Sequence, residues 1–279
     1  VAPVLDALKS QGLNVAHGLT TKAGDEARLA SEALHQGHRT IVAVGGDGTW
    51  SNVGDAIVKS GIRARLGLVP GGTGCDLAKS LAIPARDIRA CARIVAQGRT
   101  RAIDVGRIED RHFLNIAGFG YDVAVLEDSW SVAYLEGSLL YLYCALRQLR
   151  SFPGFSVELA PDGHEPRKRD LLMLVIANAR VFGGGFRVAP QAELGDGLLD
   201  AVAFGNMGLL ARLKIMQMLK AGTHPRAPEV ELARSRAFRL RFKAPPAYET
   251  DGEWNRAAAA ELLVESIPAA LDVLVPQGS

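Results

Sequence analysis

Apolar positions run through the chain in two rhythms. Up to about residue 103, short apolar runs alternate with stretches whose apolar residues recur three and four apart, as strands alternating with helices would. That pattern predicts helices over 1–11 (Val4, Leu5, Leu8), 24–34, 50–59 (Trp50, Val53, Ile57, Val58), 76–81 and 86–97 (Ile88, Cys91, Ile94, Val95). Between them it predicts strands over 13–19, 41–45 and 65–69, and the β-branched run Ile41-Val42-Ala43-Val44 reads as a buried one. Such alternation builds a parallel, doubly wound α/β sheet. Domains of this kind usually open on a strand, so the helix at the start predicts that a first strand and its loop lie upstream of Val1.

Beyond residue 103 strands crowd together, over 102–108, 111–117, 155–159, 171–178, 198–204, 230–233, 238–243, 261–265 and 271–275. Helices are predicted chiefly over 139–150 and 209–220. The expected architecture is therefore an α/β domain over 1–103 followed by a β-rich, antiparallel sandwich domain over 104–279, whose last strand can return to the first domain. No internal repeat stands out, and Pro245-Pro246 reads as a local turn.

Two of the α/β strands break into glycine. The first runs into Gly45-Gly46-Asp47-Gly48-Thr49, the second into Pro70-Gly71-Gly72-Thr73-Gly74, and each is followed by a helix. Strand, glycine turn and helix make a phosphate cradle, because glycine lets backbone approach an anion and a helix N-terminus presents unpaired N–H groups. No Lys-Ser or Lys-Thr follows the first loop, so it is not a Walker loop, and Gly-x-Gly-x-x-Gly is absent. Asp47 adds a carboxylate positioned to hold Mg²⁺ or to orient a hydroxyl beside phosphates. One such loop alone also fits an ordinary tight turn. Two of them after consecutive parallel strands, the second with Asp76 opening its helix, would share one crevice at the carboxyl ends of the sheet.

These loops resemble the diacylglycerol kinase and sphingosine kinase superfamily, in particular its soluble bacterial lipid kinases. The resemblance continues in order through Ile103-Asp104-Val105-Gly106, Phe113-Leu114-Asn115-Ile116-Ala117-Gly118-Phe119-Gly120, the run from Ala189 to Asp200, and Asp251-Gly252-Glu253. It implies an NAD kinase/phosphofructokinase-like first domain, a β-rich lipid-substrate domain, and an ATP-dependent lipid kinase with diacylglycerol as the default acceptor. Residue by residue, it implies ATP binding at Gly45, Gly46, Asp47, Gly48, Thr49, Trp50 and Ser51. It extends that site to Gly72, Thr73, Gly74 and Asp76, and to Thr20 upstream. Glu253 becomes the general base, with Asp251 and Asp47 beside it. A structural Mg²⁺ falls on the Asp196 carboxylate with the carbonyls of Glu193 and Leu198, and Asp76 and Asp104 join that region to the active site. The chain departs from the pattern at Cys75, at Ser51 and Asn52, at Gly195, and in having no Asn-Pro phosphate loop at its start.

The residues carry physical readings of their own. Phosphoryl transfer needs a carboxylate within reach of the acceptor hydroxyl, and two acids bracketing Gly252 would raise one pKa, as a base requires. An exposed polar turn before Trp254 is the equal alternative. Asp196 between two glycines suits either a hard cation or an Asx turn. The stripe Leu139, Leu140, Leu142, Tyr143, Leu146 and Leu149 reads first as core packing and second as a wall of the acceptor pocket. Arg239, Arg241 and Lys243 on one strand face, like Arg167-Lys168-Arg169, read as solvated charge before anionic-lipid contact.

Composition narrows the partners. A formal net charge of +2 over 279 residues gives no general attraction to nucleic acid. Three cysteines without Cys-x-x-Cys spacing point to a reducing compartment, Cys75 reads as a small packing residue, and six histidines show no zinc spacing. No apolar run spans a bilayer and no signal peptide is recognised, so the expectation is a cytoplasmic enzyme, peripheral at the membrane through reversible contact. A homodimer stays open. NAD kinase, which shares Gly-Gly-Asp-Gly-Thr, kinases for sphingoid bases, and a silent lipid- or nucleotide-binding module are the rival functions.

Overall fold

The computed structural model describes residues 1–22, 24–132, 135 and 137–277 (backbone alone at 137 and 138). The first part runs α1 (Ala2–Ser10), α2 (Asp25–His35), β1 (Thr40–Gly45), α3 (Asp47–Ser60), β2 (Arg65–Pro70), α4 (Asp76–Ser80), α5 (Ile88–Gln97) and β3 (Thr100–Ile108). There follow β4 (Arg111–Phe113), β5 (Ile116–Gly120), α6 (Tyr121–Ser129), α7 (Gly137–Ser151), β6 (Phe155–Pro161), β7 (Arg167–Ala177), β8 (Leu199–Gly205) and α8 (Leu209–Ala221). The last part is strand-rich, with β9 (Val230–Ser235), β10 (Ala237–Arg241), β11 (Ala247–Thr250), β12 (Glu253–Arg256) and β13 (Glu261–Leu274).

The strands join in one mixed sheet, with β1, β2 and the end of β13 parallel and the other pairs antiparallel. In the first half α1 packs on α5 and α2 on α3, closing a core that contains Trp50, Leu66, Leu68 and Leu77. In the second half β7 shows the two-residue period of a strand between two apolar layers. Leu174 and Ile176 enter the sandwich interior, while Val175 and Ala177 lie under α8 with Ile215 and Leu219.

Local chemistry sets the helix ends. The Asp87 side chain accepts the Ala90 N–H at 2.9 Å and caps α5, worth about 1 kcal/mol. Gly98 then ends the helix at φ 67, a conformation glycine adopts without strain. Ile88 at the capped end is exposed, so the buried face of α5 is narrower than its spacing predicts.

Several expected elements differ. No strand forms over 13–19: Leu13 and Val15 pack on the core from coil, which mimics the two-residue period without a ladder. Among the described residues the run at 41–44 pairs with β2 alone, and Val44 is 48% exposed. The strand expected over 111–117 breaks at Leu114-Asn115, whose N–H groups donate to Asp251 instead of to a neighbouring strand. The two strands expected over 261–275 are one, β13, with an irregularity between Ile267 and Leu271 where Ala269 has φ 50. Periodicity did not predict α6, nor the hairpin of β11 and β12, whose strands have four residues each.

Candidate active site

The first glycine loop is tighter than a loop. Gly46 precedes α3, so Asp47, Gly48 and Thr49 already form its first turn. A Cβ on Gly45 would lie 2.5 Å from the Thr49 Oγ1. The second loop lies against the first: the Gly71 N–H donates to the Gly45 carbonyl at 2.8 Å, and a Cβ on Gly72 would sit 2.6 Å from the Gly46 Cα. Side chains at these positions would force the two turns apart. The mutual approach is thus what the glycines make possible.

Asp47 fastens the loops together. Its carboxylate accepts the Asp76 and Leu77 N–H groups at 3.0 Å each, satisfying the first turn of α4, and receives the Asn115 side-chain amide at 3.4 Å. Asp47 is therefore committed to positioning and has its oxygens engaged. Asp76, almost fully buried, accepts the Lys79 ammonium at 2.7 Å and the Gly184 N–H at 2.8 Å. Sequence reasoning missed Lys79 and the Gly183-Gly184-Gly185 turn, where all three glycines have positive φ. That cluster of glycines was the available signal.

The distal acids arrive from the β11–β12 hairpin. Asp251 occupies its turn at φ 50 and is buried. Its carboxylate accepts the N–H groups of Leu114, Asn115 and Ile116 at 2.7, 2.8 and 2.9 Å, and the nearby Ser51 hydroxyl on α3 favours its charged form. Burial pushes its pKa up to about 6 against those hydrogen bonds. Two residues on, Glu253 is exposed, and its Oε1 lies 3.1 Å from where a Cβ on Gly48 would be. Glu253 thus faces the first loop, while Asp251 pins the turn that presents it. The Asn115 Oδ1 beside these groups is buried without a hydrogen-bond partner.

Beneath the hairpin lies a second pair of acids. Glu249 is buried and Asp122 half-buried, the Glu249 Oε2 accepts the Gly252 N–H at 2.6 Å, and the Glu249 Oε1 and Asp122 Oδ2 are buried atoms without a hydrogen-bond partner. Both oxygens crowd the space a Cβ on Gly118 would fill. Desolvation raises both pKa values, that of Asp122 to about 7, and the neighbouring Asp122 charge raises that of Glu249 further.

The remaining expected residues fall in several places. Trp50 is fully buried and donates its Nε1–H to the Ala43 carbonyl at 3.2 Å, so it is core and not nucleotide contact. Ser51 lies near Asp251, Thr73 is exposed on the second loop, and a Cβ on Gly74 would lie 2.9 Å from the Asp47 Oδ2. Thr20 lies in exposed coil before α2, where Thr21 donates to Asp25. Cys75 is buried at φ 53, with burial raising its pKa, as a packing residue would be.

The turn expected to hold Mg²⁺ is differently employed. The Asp196 Oδ1 accepts the Leu198 N–H at 3.0 Å, an Asx turn, and its Oδ2 lies 3.6 Å from the Arg234 guanidinium. Arg234 also donates to Asp200 and to the Gln191 carbonyl, and the exposed Glu193 adds to the acidic field around it. The Asp104 carboxylate is taken by the Gly197 and Ala269 N–H groups at 2.6 and 2.8 Å. A divalent ion here would sit against a fixed guanidinium with one shared carboxylate, and these residues do not fit it. No group of three or more metal-binding side chains occurs among the described residues.

The stripe on α7 is not core. Leu139, Leu142 and Leu146 are exposed, and only Leu149 of the six is a fully covered leucine on that face. On β10, Arg241 pairs with Glu158 and Glu261, as solvated charge does.

Two glycine turns held in contact by an acid, with a carboxylate from a β-sandwich hairpin facing them, define a phosphotransferase crevice of the α/β-plus-sandwich class. Comparison with known proteins gives the family. Residues 1–108 match the diacylglycerol kinase catalytic domain, and residues 115–275 match the YegS C-terminal NAD kinase beta sandwich-like domain. The chain belongs to the diacylglycerol kinase family, and its enzyme class is kinase. A diacylglycerol kinase of Mycobacterium tuberculosis is 30% identical over 97% of this chain and 87% of its own length. A probable lipid kinase YegS-like protein of Pseudomonas putida is 33% identical over 94% and 85%. Among solved structures, a putative diacylglycerol kinase from Bacillus anthracis superposes with a TM-score of 0.80 at 19% identity, over 99% of this chain and 90% of that one. An NAD kinase from Archaeoglobus fulgidus, in complex with ATP, shares the fold at a TM-score of 0.55 and 13% identity, over 99% and 89%.

Proposed function

We propose that this chain transfers the γ-phosphate of ATP to a lipid hydroxyl, diacylglycerol being the acceptor and phosphatidic acid the product. The observation that carries the reading is the approach of Glu253 to Gly48: the one exposed acid of the distal hairpin faces the turn suited to a triphosphate. The acceptor follows from the printed names of the relatives. The glycine contacts leave backbone, not side chains, around the phosphates, and ATP arrives as its magnesium complex.

Transfer to an alcohol asks for positioning and for removal of one proton. Glu253 takes the hydroxyl proton as the new P–O bond forms and the bond to ADP breaks. Asp251 cannot swing to the acceptor, because three backbone N–H groups hold it; it keeps Glu253 in place. Asp47 and Asp76 keep the two loops in contact. The enzyme works at the cytoplasmic face of a membrane, from which its acceptor comes.

The test is transfer from radiolabelled ATP to a panel of diacylglycerol, sphingoid bases, other lipid alcohols and NAD. Phosphatidic acid is the expected product, and Glu253→Gln should lower kcat by at least about a hundredfold while ATP binding, read by calorimetry, persists. Transfer to NAD alone, or to nothing despite lipid binding, overturns the reading. Retained turnover in the variant removes Glu253 from its role.

A further inference from the structure

Two helices expose six leucines between them. On α7, Leu139, Leu142 and Leu146 follow helical spacing; on α8, Leu209, Leu210 and Leu213 cluster in the first turns. These six are 40–84% exposed. The helices meet where the Arg212 guanidinium, itself buried, donates to the carbonyls of Leu149 and Phe152, so both apolar sets belong to one rigid corner. Neither helix carries an acid, whereas Arg150, Lys214 and Lys220 are exposed on them. Although Arg147 of α7 pairs with Asp128 of α6, exposed leucines with Arg150, Lys214 and Lys220 on the same helices complement an anionic bilayer, which takes leucine below its headgroups and lysine among them.

The corner connects to the site. Exposed Trp130, at the end of α6, packs edge-on against Trp254 with ring centroids 5.4 Å apart, and Trp254 follows Glu253. Tyr121 at the start of α6 donates to the Ala145 carbonyl of α7 at 2.7 Å. We infer that the α7–α8 corner is the surface that docks this protein on anionic membranes, with Trp130 at the interface between the docked face and the site. The basic face of β10 is a poorer candidate, since Arg241 is already paired with Glu158 and Glu261. This inference rests on the lipid-acceptor reading for its purpose, and its test is separable from it.

Docking is read without substrate, by sedimentation of the full chain with vesicles of phosphatidylcholine alone or mixed with phosphatidylglycerol. The protein should bind the mixed vesicles at least about tenfold more strongly, and added salt should weaken that preference. Leu142→Glu/Leu146→Glu, and separately Leu210→Glu at the most exposed site, should lower vesicle partition by about tenfold or more with unchanged melting temperature. Lys214→Glu should remove part of the preference for phosphatidylglycerol. Turnover of a short-chain diacylglycerol in detergent should be unaffected by Leu210→Glu and by Lys214→Glu. If the wild type phosphorylates no lipid in detergent yet the variants still lose vesicles, the docking surface stands and the kinase reading falls. Equal vesicle binding by Leu210→Glu and wild type overturns the surface. So does a dimer that the leucine variants dissociate without loss of vesicle binding, which would give this face to a second copy of the chain.

Discussion

At the scale of residues, the acids divide by what they touch. Asp251 is locked by backbone donors, Asp47 is spent on a helix start, and Glu253 alone faces the glycine turn from an exposed position. Glu249 and Asp122 are different again, because each has a buried, unpartnered carboxylate oxygen beside Gly118. A carboxyl whose folded pKa is raised stabilises fully below its unfolded pKa, and that contribution is lost as pH rises through the folded value. Glu249→Gln keeps the acceptor for the Gly252 N–H and offers Asp122 a donor, so it removes the penalty. Its melting temperature should match wild type near pH 4 and exceed it by on the order of 3 °C near pH 8. A parallel pair of melting curves across that range would show instead that the two acids do not share a proton. None of this was legible from Asp122 or Glu249 in the sequence, since only the fold brings a helix start under a hairpin. The Asp251-Gly252-Glu253 motif was legible, but that three backbone N–H groups hold Asp251 while Glu253 stays exposed was not.

At the scale of elements, the glycine loops were read correctly as a pair and incompletely as a contact. Spacing placed Gly45 to Gly48 and Gly71 to Gly74 after parallel strands; it gave no sign that Gly72 rests on Gly46. Gly72→Ala should force a repacking that costs about 1–3 kcal/mol, lower the melting temperature, and weaken ATP binding roughly tenfold or more. Gly71→Ala, whose new Cβ would meet its nearest atom at an ordinary 3.7 Å, should be tolerated. Equal effects of the two would mean that the loop moves as a whole. The turn at Asp196 teaches the converse. Its motif resembles a metal site, yet Arg234 reaches it from β9, a partner no local pattern announces. Magnesium added without nucleotide should leave the melting temperature unchanged, and Arg234→Met, losing a part-exposed ion pair worth about 1 kcal/mol, should make it magnesium-sensitive. A saturable rise in the wild type, abolished by Asp196→Asn, would restore the metal to that turn.

At the scale of the molecule, the change of rhythm near residue 103 was visible because parallel sheets need helices between strands and antiparallel ones do not. What the rhythm could not show is that apolar residues at 261–265 and 271–275 form one strand through an irregular step at Ala269. That step is held by the Asp104 carboxylate, which accepts the Ala269 N–H. The apolar stripe of α7 was misjudged for a related reason: helical spacing reports that a face is apolar, and only the fold reports that nothing in the described chain covers Leu142 or Leu146.

The long final strand has a consequence for how the protein is made. One neighbour of β2 is β1, close in sequence; the other is supplied by Asp272 and Val273. During synthesis that side of β2 stays open until almost all of these residues have left the ribosome, so the nucleotide crevice is completed late and the nascent chain carries an unpaired edge that invites chaperones or other strands.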